Sequence, residues 1–265
     1  MKYLNEILEQ RELVADQLQK TREAAEHFPP GSSERELVFH KGLDDLIKMM
    51  EAAESKRSIW DFSAEKRQPV LVRDGDIVIR PFNTHDIDFY WDIKVQYSEY
   101  YRVILMVEKI RKESLFLLDI FAPESIYCVI ENNNESVGYL GIKDTACDPW
   151  EVAIELDGKH THCGFGSRCI PLFLNELSRI TGKTEFRATV MPDNIPSQRC
   201  FEKLGAKLIG ICNDGYIRLP EEQAKFEETH MDLIDDNIRG LAGWLGVEPR
   251  KLLTHVLEYR MSCPL

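Results

Sequence analysis

One strand–loop–helix–strand unit in residues 150–191 constrains the fold of this chain more than any other part of its sequence. The segment WEVAIELD at 150–157 alternates apolar and polar side chains, which predicts a half-buried strand. A helical pattern that ends near Gly182 follows, and TEFRATVM at 184–191 has the composition of a second strand. A helical crossover makes two such strands parallel and is right-handed in nearly all proteins. The sequence therefore predicts an α/β fold with a mixed sheet.

The loop of this unit, HTHCGFGS at 160–167, places two glycines at the start of the helix. The first turn of a helix presents N–H groups without helical partners, together with the positive end of the helix dipole. At Gly164 and Gly166 no side chain would keep a phosphate group away from these amides. The loop is a candidate site for a pyrophosphate, although a glycine pair of this kind is also typical of a simple tight turn.

Three other kinds of site fit this loop less well. A Rossmann fingerprint needs a third glycine where the sequence has Cys169, and no GK[ST] follows as it would in a Walker loop. A metal site would need His160, His162 and Cys163 to converge on one ion. Neighbouring residues at the end of a strand point in different directions, and no fourth ligand lies at a suitable spacing. We therefore expect no metal here.

The composition argues against several functions. The net charge of -12 and the pI near 5.1 disfavour nucleic-acid binding, which needs a basic surface to neutralise phosphates. The seven cysteines include no CxxC pair, which favours reduced thiols in the cytoplasm. No apolar run approaches the roughly 20 residues that a membrane span requires. We expect a cytoplasmic protein that binds neither nucleic acid nor membrane.

Helical patterns at both ends divide the chain into three regions. Residues 3–27 and 34–56 carry apolar residues at helical spacing and are separated by a Pro-Pro-Gly break, which predicts a helical hairpin within residues 1–70. The hairpin either packs on the main domain or pairs with a second copy in a homodimer. Residues 71–220 are predicted to form the central domain, and residues 221–265 a helical C-terminal extension.

The central domain contains further predicted elements on both sides of the strand–loop–helix–strand unit. An opening strand, two helices and a strand hairpin precede the unit, and a short helix and a second hairpin follow it. The first hairpin has a four-residue loop, NNNE, and the second has a favourable Asp-Gly turn. In chain order, these elements are DIVIRPF, THDIDFYWDI, SEYYRVILMVEKIRKESLFLLDIFA, SIYCVIE, SVGYLGIK, IPSQRCFEKLG, AKLIGIC and YIRL.

The order of these elements resembles the GNAT superfamily of N-acetyltransferases over about residues 76–220. The segment IRPFNTHDIDFYWDI is similar to the family's opening strand and first helix. The segment WEVAIELDGKHTHCGFGSRCI is similar to its fourth strand and acyl-CoA pyrophosphate loop, and NIPSQRCFEKLGA is similar to the part beside the thioester. This last segment most resembles the branch that acetylates ribosomal-protein N-termini and related small-amine acetyltransferases. The resemblance implies a GNAT-like acyl-CoA N-acyltransferase fold.

The resemblance implies an enzyme that transfers the acetyl group of acetyl-CoA, its co-substrate, to a primary amine of a small molecule or a protein N-terminus, without a metal. Two residues depart from the family pattern. Thr161 replaces a Gln or Arg of the loop, and Phe201 replaces the frequent tyrosine that protonates the leaving thiolate. The alternative is therefore a catalytically weak acyl-CoA-binding protein with an assembly or regulatory role. The residues implied at the cofactor are Leu156, Cys163, Gly164, Phe165, Gly166, Ser167, Asn194, Ser197 and Phe201.

Glu151 is the candidate general base. A free amine is protonated at neutral pH, so a group must take its proton before it attacks the thioester. Glu151 begins the alternating strand, lies on its polar face and matches an acidic residue that many family members carry there. The alternative is a surface carboxylate at a strand end. Glu155 shares the face, but four residues of extended strand separate the two by about 13 Å.

Overall fold

The computed structural model describes residues 13, 16–30, 32–61, 70–98, 101, 102, 112, 116, 119, 120, 125–213 and 219–265. The chain has two compact units, Met1–Ala146 with Ile154–Cys163, and Cys147–Ala153 with Gly164–Leu265. Within the described stretches, no helix is long and apolar enough to cross a membrane.

Two helical segments stand where the sequence predicts the N-terminal hairpin. Residues 16–26 are helical, and helix α1 comprises Ser33–Asp61. The two helices approach closely, because a β-carbon added at Gly42 would lie 2.1 Å from the Thr21 hydroxyl oxygen. Leu46 of α1 is buried in the core of the first unit, so the hairpin packs on that core. Several residues of the predicted apolar stripe lie outside the described side chains, namely Leu43, Ile47, Met50 and Ala53.

In the first unit, four of the described strands form an antiparallel sheet in chain order. The end of the next strand, β5 (Trp150–Leu156), lies beside the fourth. The four strands are β1 (Val72–Asp74), β2 (Ile77–Pro81), β3 (Ile126–Asn132) and β4 (Glu135–Ile142).

A tight turn joins β3 to β4. Asn132 pairs with Glu135, so Asn133 and Asn134 alone lie between the strands, in place of the four-residue loop that the sequence predicts. Both residues have left-handed φ values, 52° and 67°. Two left-handed residues match the twist of a hairpin, and asparagine visits this conformation more readily than most residues do. The hairpin itself is where the sequence predicts it.

Aromatic side chains form the core between this sheet and helix α2 (Ile87–Tyr97). Tyr90 is in edge-to-face contact with Phe82, Trp91 and Phe116, at ring-centroid distances between 5.4 and 6.4 Å. Such pairs contribute beyond their buried area because the edge of one ring is attracted to the face of another. The apolar spacing of THDIDFYWDI therefore produces the predicted helix and orients its aromatic face inward.

A buried arginine joins the sheet to the start of α2. The guanidinium of Arg80 donates to both carboxylate oxygens of Asp86, at 2.7 and 2.8 Å, and to Glu131 of β3 at 2.8 Å. Asp86 also accepts the backbone N–H of Asn83, which closes the capping turn before α2. Arg80 and Asp86 are both buried, so each charge depends on the others for compensation.

Arg80→Met should destabilise the protein by about 3 kcal/mol or more, because it leaves two partly or fully buried carboxylates without their cation. Urea denaturation of the variant and the wild type would measure the difference in unfolding free energy. Arg179→Met serves as the matched control, since Arg179 makes a bidentate pair with Glu176 on the surface. Equal unfolding curves for Arg80→Met and Arg179→Met would contradict this role.

In the second unit, the start of β5 is followed across the sheet by β6 (Glu185–Val190), β8 (Val256–Ser262) and β7 (Lys207–Cys212). Strands β5 and β6 are parallel, as the sequence predicts, and β8 is antiparallel to both of its neighbours. Helix α3 (Phe165–Thr181) makes the crossover from β5 to β6. Helix α4 (Ile195–Lys203) follows β6.

The C-terminal region differs from the prediction of a helical extension. Helices α5 (Pro220–Thr229) and α6 (Asp236–Leu245) are present, but the chain ends in strand β8, which lies between β6 and β7. The strand has the two-residue period that the helical interpretation overlooked. Its residues Leu257, Tyr259 and Met261 alternate with Glu258 and Arg260. The predicted return strand at 216–219 lies outside the described residues except for its last position.

Candidate functional site

Helix α3 begins after a glycine in the left-handed conformation. Gly164 has a φ of 83° and stands immediately before Phe165, the first helical residue. The carbonyl oxygen of Gly164 accepts hydrogen bonds from the backbone N–H of Arg168 and the hydroxyl of Ser167. The amides of Gly166 and Ser167 precede that first helical hydrogen bond and lie at the positive end of the helix dipole. The helix start thus has the geometry that binds anions in other proteins.

The two glycines of the loop are needed for different physical reasons. Gly164 needs its left-handed backbone, and a β-carbon there would meet nothing within 4 Å. At Gly166 a β-carbon would lie 2.9 Å from the sulfur of Cys200 in the second half of α4, so the close approach of α4 to the start of α3 favours glycine there. Burial raises the pKa of the Cys200 thiol, which agrees with an inert cysteine rather than a nucleophile.

The turn before α4 is fixed by side chains. Asn194 accepts the backbone N–H of Ser197 at 3.1 Å, so it caps the helix. Gln198 is buried and donates to the carbonyl oxygen of Pro192 at 2.8 Å. Asn194 and Ser197 are predicted from the sequence, but Gln198 is not, because its only signal is its place one turn after the cap. Asn194 is exposed and Ser197 half-buried, so both are accessible at this helix start.

Phe201, at the position where many family members have tyrosine, is buried against a tyrosine from a distant strand. Its ring stacks on that of Tyr259 in β8, with centroids 6.2 Å apart. The Tyr259 hydroxyl donates to Glu202, and burial together with this carboxylate raises the pKa of Tyr259 to about 12. A phenol therefore lies beside Phe201, and it keeps its proton at neutral pH. No local pattern in the sequence could have indicated this pair.

Glu151 is buried, and both of its carboxylate oxygens have partners. One carboxylate oxygen accepts the hydroxyl of Thr189 at 2.7 Å, and the other forms an ion pair with Arg187 at 2.9 Å. Glu151 is 7% exposed, so the alternative interpretation as a surface carboxylate is wrong. Both partners are on β6, and Arg187 stands directly opposite Glu151 in the parallel register. The role of Glu151 as a general base stays a prediction.

The last residues of β5 contact α2 of the first unit. The Tyr97 hydroxyl donates to the carbonyl oxygen of Leu156 at 2.7 Å, and Lys94 forms an ion pair with Glu155 at 2.9 Å. Glu151 and Glu155 therefore have different partners, although both belong to one alternating strand.

The histidines and the cysteine of the loop do not assemble as a metal site. Cys163 is exposed and its thiol donates to the carbonyl oxygen of Thr161. His160 lies near the carboxylates of Asp157 and Glu135, at 3.9 and 3.8 Å. Among the described residues, no group of three or more His, Cys, Asp or Glu could hold a metal ion.

Comparison with known families identifies the central part of the chain. The family model for the GNAT acetyltransferase domain matches residues 76–207. These residues form a GNAT acetyltransferase domain. The match confirms the predicted family, the predicted acyltransferase class and, with them, acetyl-CoA as the acetyl donor. No curated protein matches the chain.

Several solved GNAT structures are similar to this chain at low identity. RimJ of Mycobacterium smegmatis, in complex with CoA-disulfide, is 15% identical, with 71% of this chain and 82% of RimJ covered and a TM-score of 0.46. The ribosomal L7/L12 α-N-protein acetyltransferase RimL is 11% identical, with 74% and 99% covered and a TM-score of 0.49. The spermidine N-acetyltransferase SpeG of Vibrio cholerae is 12% identical, with 71% and 95% covered and a TM-score of 0.47.

The sheet of the matched region continues beyond the matched residues. The match ends at residue 207, where β7 begins, yet β7 and β8 belong to the same sheet as β6. Helices α5 and α6 therefore lie between β7 and β8, the last two strands of the sheet in chain order.

Thr161 stands where the family pattern has Gln or Arg. Its hydroxyl donates to the Gly158 carbonyl oxygen at 2.9 Å, so it stabilises the turn before the loop.

Acetyl-CoA should raise the melting temperature of the wild type, since a ligand at 100 times its Kd stabilises the native state by about 2.7 kcal/mol. Gly166→Asp should abolish this shift, because its β-carbon meets the Cys200 sulfur and its carboxylate lies among the amides at the start of α3. Differential scanning fluorimetry with and without millimolar acetyl-CoA measures both.

Gly182→Asp is the matched control for Gly166→Asp. Gly182 caps the opposite end of α3 and has a φ of 75°. A β-carbon added there would have no neighbour within 4 Å. This variant should lose stability through backbone strain but keep the full shift with acetyl-CoA. A wild type without a shift, or equal shifts in all three proteins, would contradict the proposed loop function.

Proposed function

We propose that this protein transfers the acetyl group of acetyl-CoA to a primary amine of a small molecule or a protein N-terminus, with the pyrophosphate of the cofactor bound at the start of α3. The observation that carries the proposal is the left-handed Gly164 and the close-packed Gly166 at a helix start within a GNAT domain. These two residues leave the amides of the first turn without a covering side chain. The neighbouring residues Cys163, Phe165 and Ser167 would complete the phosphate loop.

Four residues are proposed to act near the thioester. Glu151 takes the proton of the acceptor amine, directly or through water, and the neutral nitrogen then bonds to the carbonyl carbon of the acetyl group. The carbon–sulfur bond breaks, coenzyme A leaves as a thiolate, and the newly acylated nitrogen releases its remaining extra proton to solvent. Because Phe201 has no proton to donate, the thiolate takes its proton from solvent or through the Ser197 hydroxyl. Asn194 orders the helix start that presents Ser197.

The geometry around Glu151 supports its proposed role and also defines the alternative. Arg187 and Thr189 hold the carboxylate in one orientation, which is what a positioned base requires. The same ion pair stabilises the charged carboxylate and would weaken it as a proton acceptor. Together with Phe201, this favours the second candidate, an acyl-CoA-binding protein with little catalytic activity and an assembly or regulatory role.

We also propose a domain organisation and a location for the protein. The catalytic domain extends from residue 71 to about 220 and is completed by β8, with a helical region at 1–70 and helices α5 and α6 inserted before β8. All seven cysteines are free thiols, which is typical of a reducing compartment and supports a cytoplasmic location. We further propose that two copies of the chain pair through the side of the N-terminal hairpin that faces away from the core of the first unit.

A thiol-release assay with a panel of primary amines tests the function. The wild type should release coenzyme A faster with at least one alkylamine or peptide N-terminus than with water alone, and mass spectrometry should show the acetylated amine. Thermal stabilisation by acetyl-CoA without transfer to any amine would instead establish the acyl-CoA-binding alternative.

Glu151→Gln separates a base from a structural carboxylate. A positioned acid–base group contributes about 10²–10⁴-fold, so kcat should fall by that factor while the affinity for acetyl-CoA stays unchanged. Thr189→Val is the matched control, because it removes one hydrogen bond to Glu151 and leaves the proton acceptor in place. Equal kcat values for Glu151→Gln and wild type between about pH 6 and 9 would exclude Glu151 as the base.

A further inference from the structure

Three basic residues lie side by side across three neighbouring strands of the second unit. Arg187 of β6 is directly opposite Arg260 of β8, and Arg260 is directly opposite Lys207 of β7. Residues that are opposite each other on neighbouring strands project from the same face of the sheet, with their β-carbons about 4.5–5.5 Å apart. We call Arg187, Arg260 and Lys207 the cationic row.

The cationic row runs against both the physics of a sheet and the composition of this chain. Like charges directly opposite each other on neighbouring strands destabilise the sheet. Acidic residues outnumber basic residues in the chain by 45 to 33, so carboxylates rather than further cations would be the common neighbours of an arginine here. Proteins break local rules of this kind mostly at functional sites. The binding of an anion is the function that offsets such repulsion most directly.

Carboxylates fix the two arginines of the row without using all of their donors. Glu151 pairs with one nitrogen of Arg187 at 2.9 Å, and Glu258 contacts two nitrogens of Arg260 at 2.8 and 2.9 Å. The side chains of Arg187 and Arg260 are 27% and 39% exposed, so solvent reaches both. A guanidinium has more N–H donors than these contacts occupy. Both arginines are therefore held in place and can still bind another acceptor.

Two groups of the row lack a partner. Lys207 is exposed and forms no ion pair with any residue that the structure describes. The Nε of Arg187 is buried and has no hydrogen-bond partner within the described part of the chain. A buried donor of a charged group that makes no hydrogen bond is costly. The row thus combines uncompensated positive charge with unused donors, which are the two properties that an oxyanion site needs.

The cationic row lies on the face of the sheet that is turned away from α4. Tyr259, the neighbour of Arg260 along β8, stacks on Phe201 of α4, and successive residues of a strand project from opposite faces. The start of α3 packs against α4, because Gly166 approaches Cys200. The row is therefore distinct from the amides that are proposed to bind the pyrophosphate of the cofactor.

Glu151 continues the row on the next strand. It lies directly opposite Arg187 in β5, so the proposed base and the three cations share one face of the sheet. Neighbouring strands are about 4.8 Å apart, so the backbones of β5 and β8 are separated by about 10 Å. A molecule whose amine is at Glu151 can reach Arg260 with a group that is several bonds away from its nitrogen.

We propose that the cationic row is an anion-binding site for a carboxylate or phosphate group of the acceptor, so that the substrate is an amine with an anionic group several bonds from its nitrogen. The inference rests on the proposed function, because that function places the acceptor nitrogen at Glu151. Guanidinium groups bind both kinds of oxyanion through paired N–H···O contacts. Amino acids, aminoalkyl phosphates and acidic peptide N-termini have this chemistry, and simple alkylamines do not.

Matched acceptors test the site by steady-state kinetics. Pentylamine and δ-aminovalerate have the same carbon chain and differ by one carboxylate. Because hydrogen bonds between charged groups are strong, the KM of the wild type should be roughly tenfold to a hundredfold lower for δ-aminovalerate. Arg260→Gln should raise the KM for δ-aminovalerate by a similar factor and leave the KM values for pentylamine and acetyl-CoA unchanged. O-phosphoethanolamine and the peptide Ala-Asp-Asp, compared with ethanolamine and Ala-Asn-Asn, distinguish the possible sources of the anion.

Arg179→Gln is the matched control for Arg260→Gln. Arg179 also gives its Nε and one terminal nitrogen to a single glutamate, Glu176, and it is exposed. Its KM values should equal those of the wild type. Equal KM values of the wild type for δ-aminovalerate and pentylamine would overturn the inference, and so would equal KM values of Arg260→Gln and Arg179→Gln for δ-aminovalerate.

A binding experiment separates failure of this inference from failure of the proposed function. If the wild type acetylates no amine, the proposed function is wrong, and glutarate, a dianion without an amine, still tests the site. Glutarate should raise the melting temperatures of the wild type and Arg179→Gln, and it should raise those of Arg260→Gln and Lys207→Gln by clearly less. No stabilisation of the wild type, or equal stabilisation of all four proteins, would show that the row binds no anion.

Discussion

Two residue pairs between parallel strands determine the geometry of the second unit. Trp150 lies opposite Phe186 and Glu151 opposite Arg187, at the start of β5 and β6. Because parallel strands need a crossover, this register forces α3 to begin beyond one strand and to end before the other. The same register brings Arg187 against Glu151, so the position of the helix start and the environment of the predicted base have one cause.

Carboxylates in this acidic chain are fixed by cations from neighbouring elements. Arg187 on β6 holds Glu151, and within the first unit Lys94 on α2 holds Glu155. Arg80 holds the capping turn of α2 in the same way. Where one member of a pair is buried, as Glu151 and Arg80 are, the geometry is rigid, because separating the charges would leave an uncompensated group out of water. Charge burial therefore specifies positions that an exposed ion pair would leave variable.

Local patterns in the sequence predicted the parts of the fold that depend on local physics. Alternation predicted β5, and glycines predicted the start of α3. Strand β8 was missed because its partners in β6 and β7 lie between 44 residues (Cys212–Val256) and 77 residues (Glu185–Ser262) earlier in the chain, so its short alternating run had no local context. The partners of the site residues were missed for the same reason. Lys94, Arg187 and Tyr259 reach their sites through pairing and packing between distant segments.

The central claim is that the start of α3 binds the pyrophosphate of acetyl-CoA, and phosphorus NMR of coenzyme A titrated with the protein tests it most directly. The account predicts that both pyrophosphate resonances shift or broaden saturably, at one coenzyme A per chain. The Gly166→Asp protein should leave these resonances at their free positions. Pyrophosphate resonances that stay unchanged in the presence of excess wild-type protein would contradict the account.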